Sequence, residues 1–134
     1  MRAFCARMGA TVPQRKALVL KASRILLSEK PLPERLQAFL EALLEGPFPI
    51  RSGKLYLRKG EGLRLVAQLG GEAGGEEVAL SLEGGGRALG RLSLRLAPAA
   101  SLAPEDRLAL EEAAGILALA LLRERAERAE RVLR

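Results

Sequence analysis

The sequence predicts an α+β domain in which helices cover one face of an antiparallel sheet. Two observations predict it. Between Lys54 and Leu96, short segments alternate apolar and polar residues, which is typical of a sheet covered on one face only. Before and after them, apolar residues recur at three- and four-residue spacing. A chain of 134 residues is long enough for one domain with a hydrophobic core. We expect a loose tail over residues 1–12 and a single domain over residues 13–134.

A first helix is expected from Pro13 to about Glu29, with Thr11 or Val12 at its N-cap. Its apolar residues occupy two faces. One face carries Leu18, Val19, Ala22, Ile25 and Leu26. Leu20 and Leu27 lie nearly opposite. Since a helix with two apolar faces needs two packing partners, one partner would be the domain itself and the other a second subunit.

A second helix is expected from Pro33 to Glu45, after the break at Pro31-Leu-Pro33. Four alternating segments then predict strands at Lys54–Arg58, Leu63–Leu69, Glu77–Glu83 and Ala88–Leu96. In the second of these segments, the alternation predicts that four side chains point toward the core: Leu63, Leu65, Ala67 and Leu69. The polar side chains of the outer face would be Lys54, Tyr56, Arg58, Arg64, Gln68, Arg91, Ser93 and Arg95.

Residues 101–134 predict one long helix that starts near Pro104. Ala113–Leu122 contains no polar side chain, so this part would be buried on more than one side. The charged stretch that follows offers i,i+4 pairs such as Glu124–Arg128 and Glu127–Arg131, which support an exposed helix. We therefore expect a helix that leaves the domain and meets a partner. The apolar run is about half of a membrane span, so no membrane segment is expected.

Several stretches together resemble a GAF domain. They are Leu36–Glu45, Gly53-Lys-Leu-Tyr-Leu, Gly86-Arg-Ala-Leu-Gly-Arg-Leu-Ser-Leu, and above all Leu102–Leu121 with its Pro-Glu-Asp helix start. The resemblance implies a four-stranded antiparallel sheet of the GAF/PAS type. It also implies that two N-terminal helices and a long C-terminal helix lie on one face. GAF domains commonly end in such a helix, which runs out of the domain as a signalling linker.

One departure from the family concerns the ligand pocket. GAF domains usually carry a long insertion between the second strand and the closing hairpin, and that insertion forms the lid of a small-molecule pocket. Here the corresponding connection is only Gly70–Glu76. The sheet face that a lid would cover carries charged side chains, whose unpaired burial would be costly. We therefore expect that the usual pocket is absent.

The amino-acid composition excludes most kinds of catalytic site. The chain has no histidine and a single cysteine, Cys5. A Ser–His or Cys–His pair, an imidazole metal ligand, an intramolecular disulfide and a CxxC site are therefore excluded. GAF-type methionine sulfoxide reductases need several cysteines, and no residue is placed to hold a bilin or haem. We expect no catalytic residue, no metal and no cofactor.

The net charge of +6 comes from the N-terminal part, because seven basic residues and only Glu29 precede Pro33. An anion-binding face is one interpretation, with Arg58, Arg64, Arg91 and Arg95 as its residues. Nucleic acid is not favoured as the partner, since this face offers only Tyr56 for base stacking. The absence of asparagine is typical of a thermophilic source, and we expect a cytoplasmic protein.

The leading hypothesis is a non-catalytic GAF-like regulatory or signalling module. It would act through helix-mediated homodimerisation and through a protein partner, with Leu18, Ile25, Leu117 and Leu121 as the dimer contacts. One alternative is a module that binds a polyanion or nucleic acid on the arginine-rich sheet face. A second alternative is a small-molecule sensor whose pocket forms at the dimer interface.

Overall fold

The computed structural model describes residues 10–71 and 74–133 and confirms the α+β class. Three helices and four strands follow one another as α1 Val12–Leu27, α2 Leu32–Glu45, β1 Ile50–Lys59, β2 Gly62–Gly70, β3 Glu77–Gly84, β4 Arg87–Leu96 and α3 Pro104–Leu133. The strands form one antiparallel sheet in the order β2-β1-β4-β3. Two helices pack on one face of the sheet, where α2 covers β1 and β2 while α3 covers β3, and α1 packs on these two helices.

The core lies between the sheet and these helices. Leu55 is opposite Leu92 on β4, and Leu92 is opposite Leu80 on β3, so one row of leucines crosses three strands. From the helix side, Phe39 of α2 and Leu117 of α3 are fully buried against the sheet layer. Alternation in β3 and β4 places their leucines in this core as the sequence predicted.

The first half of β2 departs from the predicted alternation because of a β-bulge. Leu55 pairs with Ala67, but Tyr56 pairs with Leu65, which leaves Val66 as the extra residue. An extra residue moves every side chain beyond it to the opposite face. Leu63 and Leu65 are therefore on the outer face, where they are 49% and 42% exposed. The prediction that both point inward was wrong.

The start of α1 is fixed by local and long-range hydrogen bonds. Thr11 Oγ1 accepts from the Gln14 N–H at 3.2 Å, and Gln14 Oε1 accepts from the Thr11 N–H at 2.8 Å, so the predicted N-cap residue Thr11 forms a capping box. Ala10 is buried, and its N–H donates to both carboxylate oxygens of Asp106 at 3.2 and 3.1 Å. Of the predicted tail, residues 10–12 are thus packed or helical, and residues 1–9 lie outside the described residues.

Helices α1 and α3 lie side by side and run in the same direction. At their N-terminal ends, Ala10 is joined to Asp106. At the other end, Arg35 donates to the Leu26 carbonyl oxygen and to Glu124. Beyond Leu122 most of α3 is exposed, in agreement with a helix that leaves the domain. Among the described residues, no helix combines the length and the hydropathy needed to cross a membrane.

Candidate functional site

The four side chains predicted as dimer contacts are covered within a single chain. Leu18, Leu117 and Leu121 are at most 5% exposed, and Ile25 is half-buried against the same core. They occupy the faces through which α1 and α3 pack against the rest of the domain. A second copy would not contact Leu18, Leu117 and Leu121 while they are covered in this way, whereas Ile25 stays partly accessible.

The exposed apolar side chains of the helices lie on the opposite faces. On α1, Val12, Leu20 and Leu27 are 52%, 57% and 62% exposed, and on α3, Leu108 and Leu119 are 63% and 67% exposed. The prediction of a second apolar face on α1, carrying Leu20 and Leu27, therefore agrees with the structure. Monomeric proteins commonly expose scattered leucines, whereas a row of them on two adjacent helices is typical of an interaction surface.

Between these two helices lies an open concavity of about 530 Å³, which we call the α1–α3 groove. Its lining residues are Val12, Arg15, Lys16, Val19, Leu20, Glu105, Leu108, Ala109 and Glu112. Leu20 and Leu108 supply apolar surface from the two helices. The charged lining residues are segregated by element, because those of α1 are basic and those of α3 are acidic.

The exposure of Leu108 and Leu119 was not predicted from the sequence. Ala113–Leu122 is apolar all round, so it favoured burial on every side. In the structure the buried residues of α3 form one stripe, which includes Leu110, Ala113 and Leu117. The opposite side carries Leu108 and Leu119, which are three helical turns apart. The spacing could have identified this second stripe once the first was assigned to the core.

The outer face of the sheet carries an ion cluster centred on Glu77. Arg91 and Arg95 approach its carboxylate at 3.6 and 3.9 Å, and Ser93 Oγ donates a hydrogen bond to it. The Ser93 hydrogen bond, followed by the charges of Arg95, Arg91 and Lys54, lowers the pKa of Glu77 below its ordinary value. Two of the four arginines predicted to bind an anion are therefore already paired with a carboxylate.

The other two arginines of that prediction lie elsewhere. Arg58 is opposite Leu63 near the β1–β2 turn. Arg64 is opposite Leu57 and shares its face, which is the helix side of the sheet, because the bulge at Val66 reverses this part of β2. The prediction that all four arginines share the outer face was therefore wrong for Arg64.

A concavity of about 580 Å³ lies on the outer sheet face beside the Glu77 cluster. Its lining is mostly polar, and it includes Lys54, Tyr56, Gln68, Glu77 and Arg95. The short connection after β2 borders it through Gly70 and Gly71, while residues 72 and 73 lie outside the described residues.

The described residues contain no group of three or more acidic, cysteine or histidine side chains that are placed to hold a metal ion. Cys5 lies outside them. The buried Asp106 accepts hydrogen bonds from the Ala10 N–H and from Arg15, so it acts as a structural link between the two helix starts.

Comparison with solved structures identifies the architecture. The GAF domain of the Acinetobacter phosphoenolpyruvate-protein phosphotransferase matches with a TM-score of 0.75 over 87% of this chain and 97% of that chain, at 10% sequence identity. The GAF domain of a protein assigned as a sensor histidine kinase from Pseudomonas syringae pv. tomato matches with a TM-score of 0.73 over 87% and 93%, at 19% identity. The chain has the GAF fold.

The GAF fold also occurs in an enzyme among these neighbours. The free methionine-R-sulfoxide reductase of Neisseria meningitidis, solved with its substrate, matches with a TM-score of 0.73 over 88% of this chain and 95% of that chain, at 18% identity. No protein-family model and no curated protein sequence matches the chain. At these identities the likeness establishes the GAF fold, and the expected resemblance is confirmed at that level.

Proposed function

We propose that this GAF domain is a non-catalytic regulatory module that forms a homodimer through the α1–α3 groove. The observation that carries the proposal is the row of exposed leucines on two parallel, adjacent helices, with Leu20 and Leu108 at the groove itself. Burying such side chains stabilises an association by roughly 25 cal/mol for each Å² of apolar surface removed from water.

The charges of the groove support a second copy of this chain as the partner. A two-fold axis parallel to the helices would place the same surface on both subunits, with each α1 opposite the partner's α3. The basic lining residues Arg15 and Lys16 would then lie near the acidic Glu105 and Glu112 of the other copy. Two α1 and two α3 helices would form a four-helix bundle between the two sheets.

The regulatory role follows from the direction of α3. In such a dimer, the two α3 helices leave the bundle together, and their charged ends beyond Leu122 would pass a change in dimer geometry to a partner. One structural neighbour is the GAF domain of a protein assigned as a sensor kinase, which supports a signalling role. The single cysteine and the absence of histidine support a role without catalysis.

Sedimentation equilibrium tests the proposal. The wild-type chain is expected to be a dimer at tens of micromolar, and Leu20→Glu and Leu108→Glu are expected to give folded monomers, because both side chains are exposed in one chain. Leu65→Glu is the matched control, since Leu65 is exposed on the opposite layer and its replacement should leave the dimer intact. A wild-type monomer, or dimers in both variants, would refute the proposal.

A further inference from the structure

We propose that Arg58, Arg87 and Arg125 form a binding site for a phosphate-bearing anion at the base of the exposed part of α3. The three side chains come from β1, β4 and α3, and they line one open concavity of about 480 Å³ together with Gly60 and Ala88. No acidic residue belongs to this lining among the described residues. The site is separate from the α1–α3 groove and does not depend on dimerisation.

The topology brings the three arginines together. β1 and β3 run in the same direction, so the β1–β2 and β3–β4 turns lie at the same end of the sheet. Arg58 and Arg87 lie near these turns. Helix α3 passes the same end, because a Cβ on Gly84 would lie 2.5 Å from Leu122 Cδ1. Arg125 follows Leu122 by about one helical turn, which places it over the hairpin end.

Among the described residues, the guanidinium groups of Arg58, Arg87 and Arg125 have no partner. Across residues 10–71 and 74–133, none of them takes part in an ion pair or hydrogen bond, whereas Arg91 and Arg95 are paired with Glu77. An adjoining concavity of about 520 Å³ adds Lys59, Arg64 and Arg128 to the basic surface. The one acidic residue of that lining, Glu124, is held by Arg35 at 2.8 Å.

The chemistry of the lining favours phosphate groups. A guanidinium is always charged and presents a planar fork of donors that matches phosphate oxygens. Three forks around one concavity suit an anion with several charged oxygens, such as a di- or triphosphate, better than a single carboxylate. The described lining has no aromatic ring on which a base could stack, so neither a nucleobase nor an extended single strand would be recognised.

A bound anion would connect α3 to the sheet. Arg125 lies on the exposed part of α3, while Arg58 and Arg87 lie on the sheet. An anion held by all three would restrain the helix where it leaves the domain, and mass action would raise the thermal stability of the folded chain. The site would therefore couple phosphate binding to the position of the exposed helix.

Titration calorimetry with inorganic triphosphate at low salt tests the site. The wild-type chain is expected to bind about one triphosphate, and each of Arg58→Gln, Arg87→Gln and Arg125→Gln should weaken binding about tenfold through the loss of a charge-assisted hydrogen bond. Arg107→Gln is the control, since Arg107 is exposed on α3 but paired with Glu111, and it should bind as the wild type does. At one triphosphate concentration, the rise in Tm should also be smaller for Arg125→Gln than for the wild type.

A comparison of ligands tests the recognised group. Pyrophosphate and ADP are expected to bind equally, because the lining offers nothing that contacts a base. Absence of triphosphate binding at low salt, or equal weakening by Arg107→Gln, would overturn the site. So would ADP or an oligonucleotide that binds more than about tenfold tighter than the inorganic anions.

Discussion

Arg35 donates a hydrogen bond to Glu124 at 2.8 Å, across 89 residues of sequence. The same guanidinium donates to the carbonyl oxygens of Leu26 at 3.0 Å and Lys30 at 2.8 Å. The Arg35 and Glu124 side chains are only 12% and 21% exposed. One side chain therefore joins the end of α1, the following turn and the last packed turn of α3, so it defines where α3 leaves the domain.

Replacing Arg35 tests this link. Arg35→Gln should lower the free energy of unfolding by about 2 kcal/mol, because a largely buried, charge-assisted hydrogen bond is lost. Arg128→Gln is the matched control. The sequence predicted an i,i+4 pair between Glu124 and Arg128, but Glu124 pairs with Arg35, so the control should change stability by less than about 0.5 kcal/mol. Urea denaturation measures both, and equal losses would favour the i,i+4 pair.

Asp106 provides the second test of the helix arrangement. Asp106→Ala should cost about 1–3 kcal/mol, because the buried N–H of Ala10 then lacks an acceptor. Glu111→Ala on the same helix removes only an exposed pair with Arg107 at 3.3 Å, worth a few tenths of a kcal/mol, roughly 0.3. Thermal unfolding of the two variants should separate them clearly. Similar Tm values would mean that the Ala10–Asp106 link contributes little to stability.

Local patterns predicted the elements well and the surfaces poorly. Alternation of apolar and polar residues located all four strands. The pattern is clearest in β3 and β4, because each has one solvent-exposed face and one buried face. It failed at Val66, since a bulge is an event between two strands and leaves no mark in the period of one strand. The arrangement of the helices was inaccessible for a related reason. Which apolar face of α1 is covered depends on where α3 packs, and only the folded chain determines that.

The partners of the arginines were equally hidden from the sequence. The spacing of Arg91 and Arg95 placed both on the outer face, but their pairing with Glu77 depends on the register of β3 against β4. The meeting of Arg58, Arg87 and Arg125 depends on three elements that are far apart in the chain. Long-range geometry of this kind has no signature in a single sequence.

Gly90 tests the close approach of β1 and β4. A Cβ at this buried position would lie 2.2 Å from the Tyr56 carbonyl oxygen, so Gly90→Ala must separate the two central strands. We expect a loss of more than about 3 kcal/mol, beyond the usual range for a point substitution. Gly62→Ala is the control, because a Cβ there meets nothing within 4 Å. Denaturant unfolding measures both variants, and a stable Gly90→Ala variant would contradict the packing described for this pair.

Glu77 gives a prediction for pH dependence. The Ser93 hydrogen bond is the largest cause of its lowered pKa, so Ser93→Ala should raise that pKa toward the ordinary value of 4.5. A carboxyl whose pKa is lower in the folded state stabilises the fold above its unfolded pKa and loses that contribution as the pH falls through the folded pKa. The stability difference between wild type and Ser93→Ala should therefore be full at neutral pH and shrink in acid.

The control for this experiment is Ser81→Ala, whose hydroxyl lies on the same outer face but makes no hydrogen bond to Glu77 in the described chain. Carboxyl-carbon NMR titration measures the Glu77 pKa directly in each variant. Added salt should raise the Glu77 pKa only part of the way to its ordinary value. Salt screens the exposed Arg91 and Arg95 charges but leaves the short-range Ser93 hydrogen bond in place. An unchanged pKa in Ser93→Ala would show that the arginine charges alone set the ionisation of Glu77.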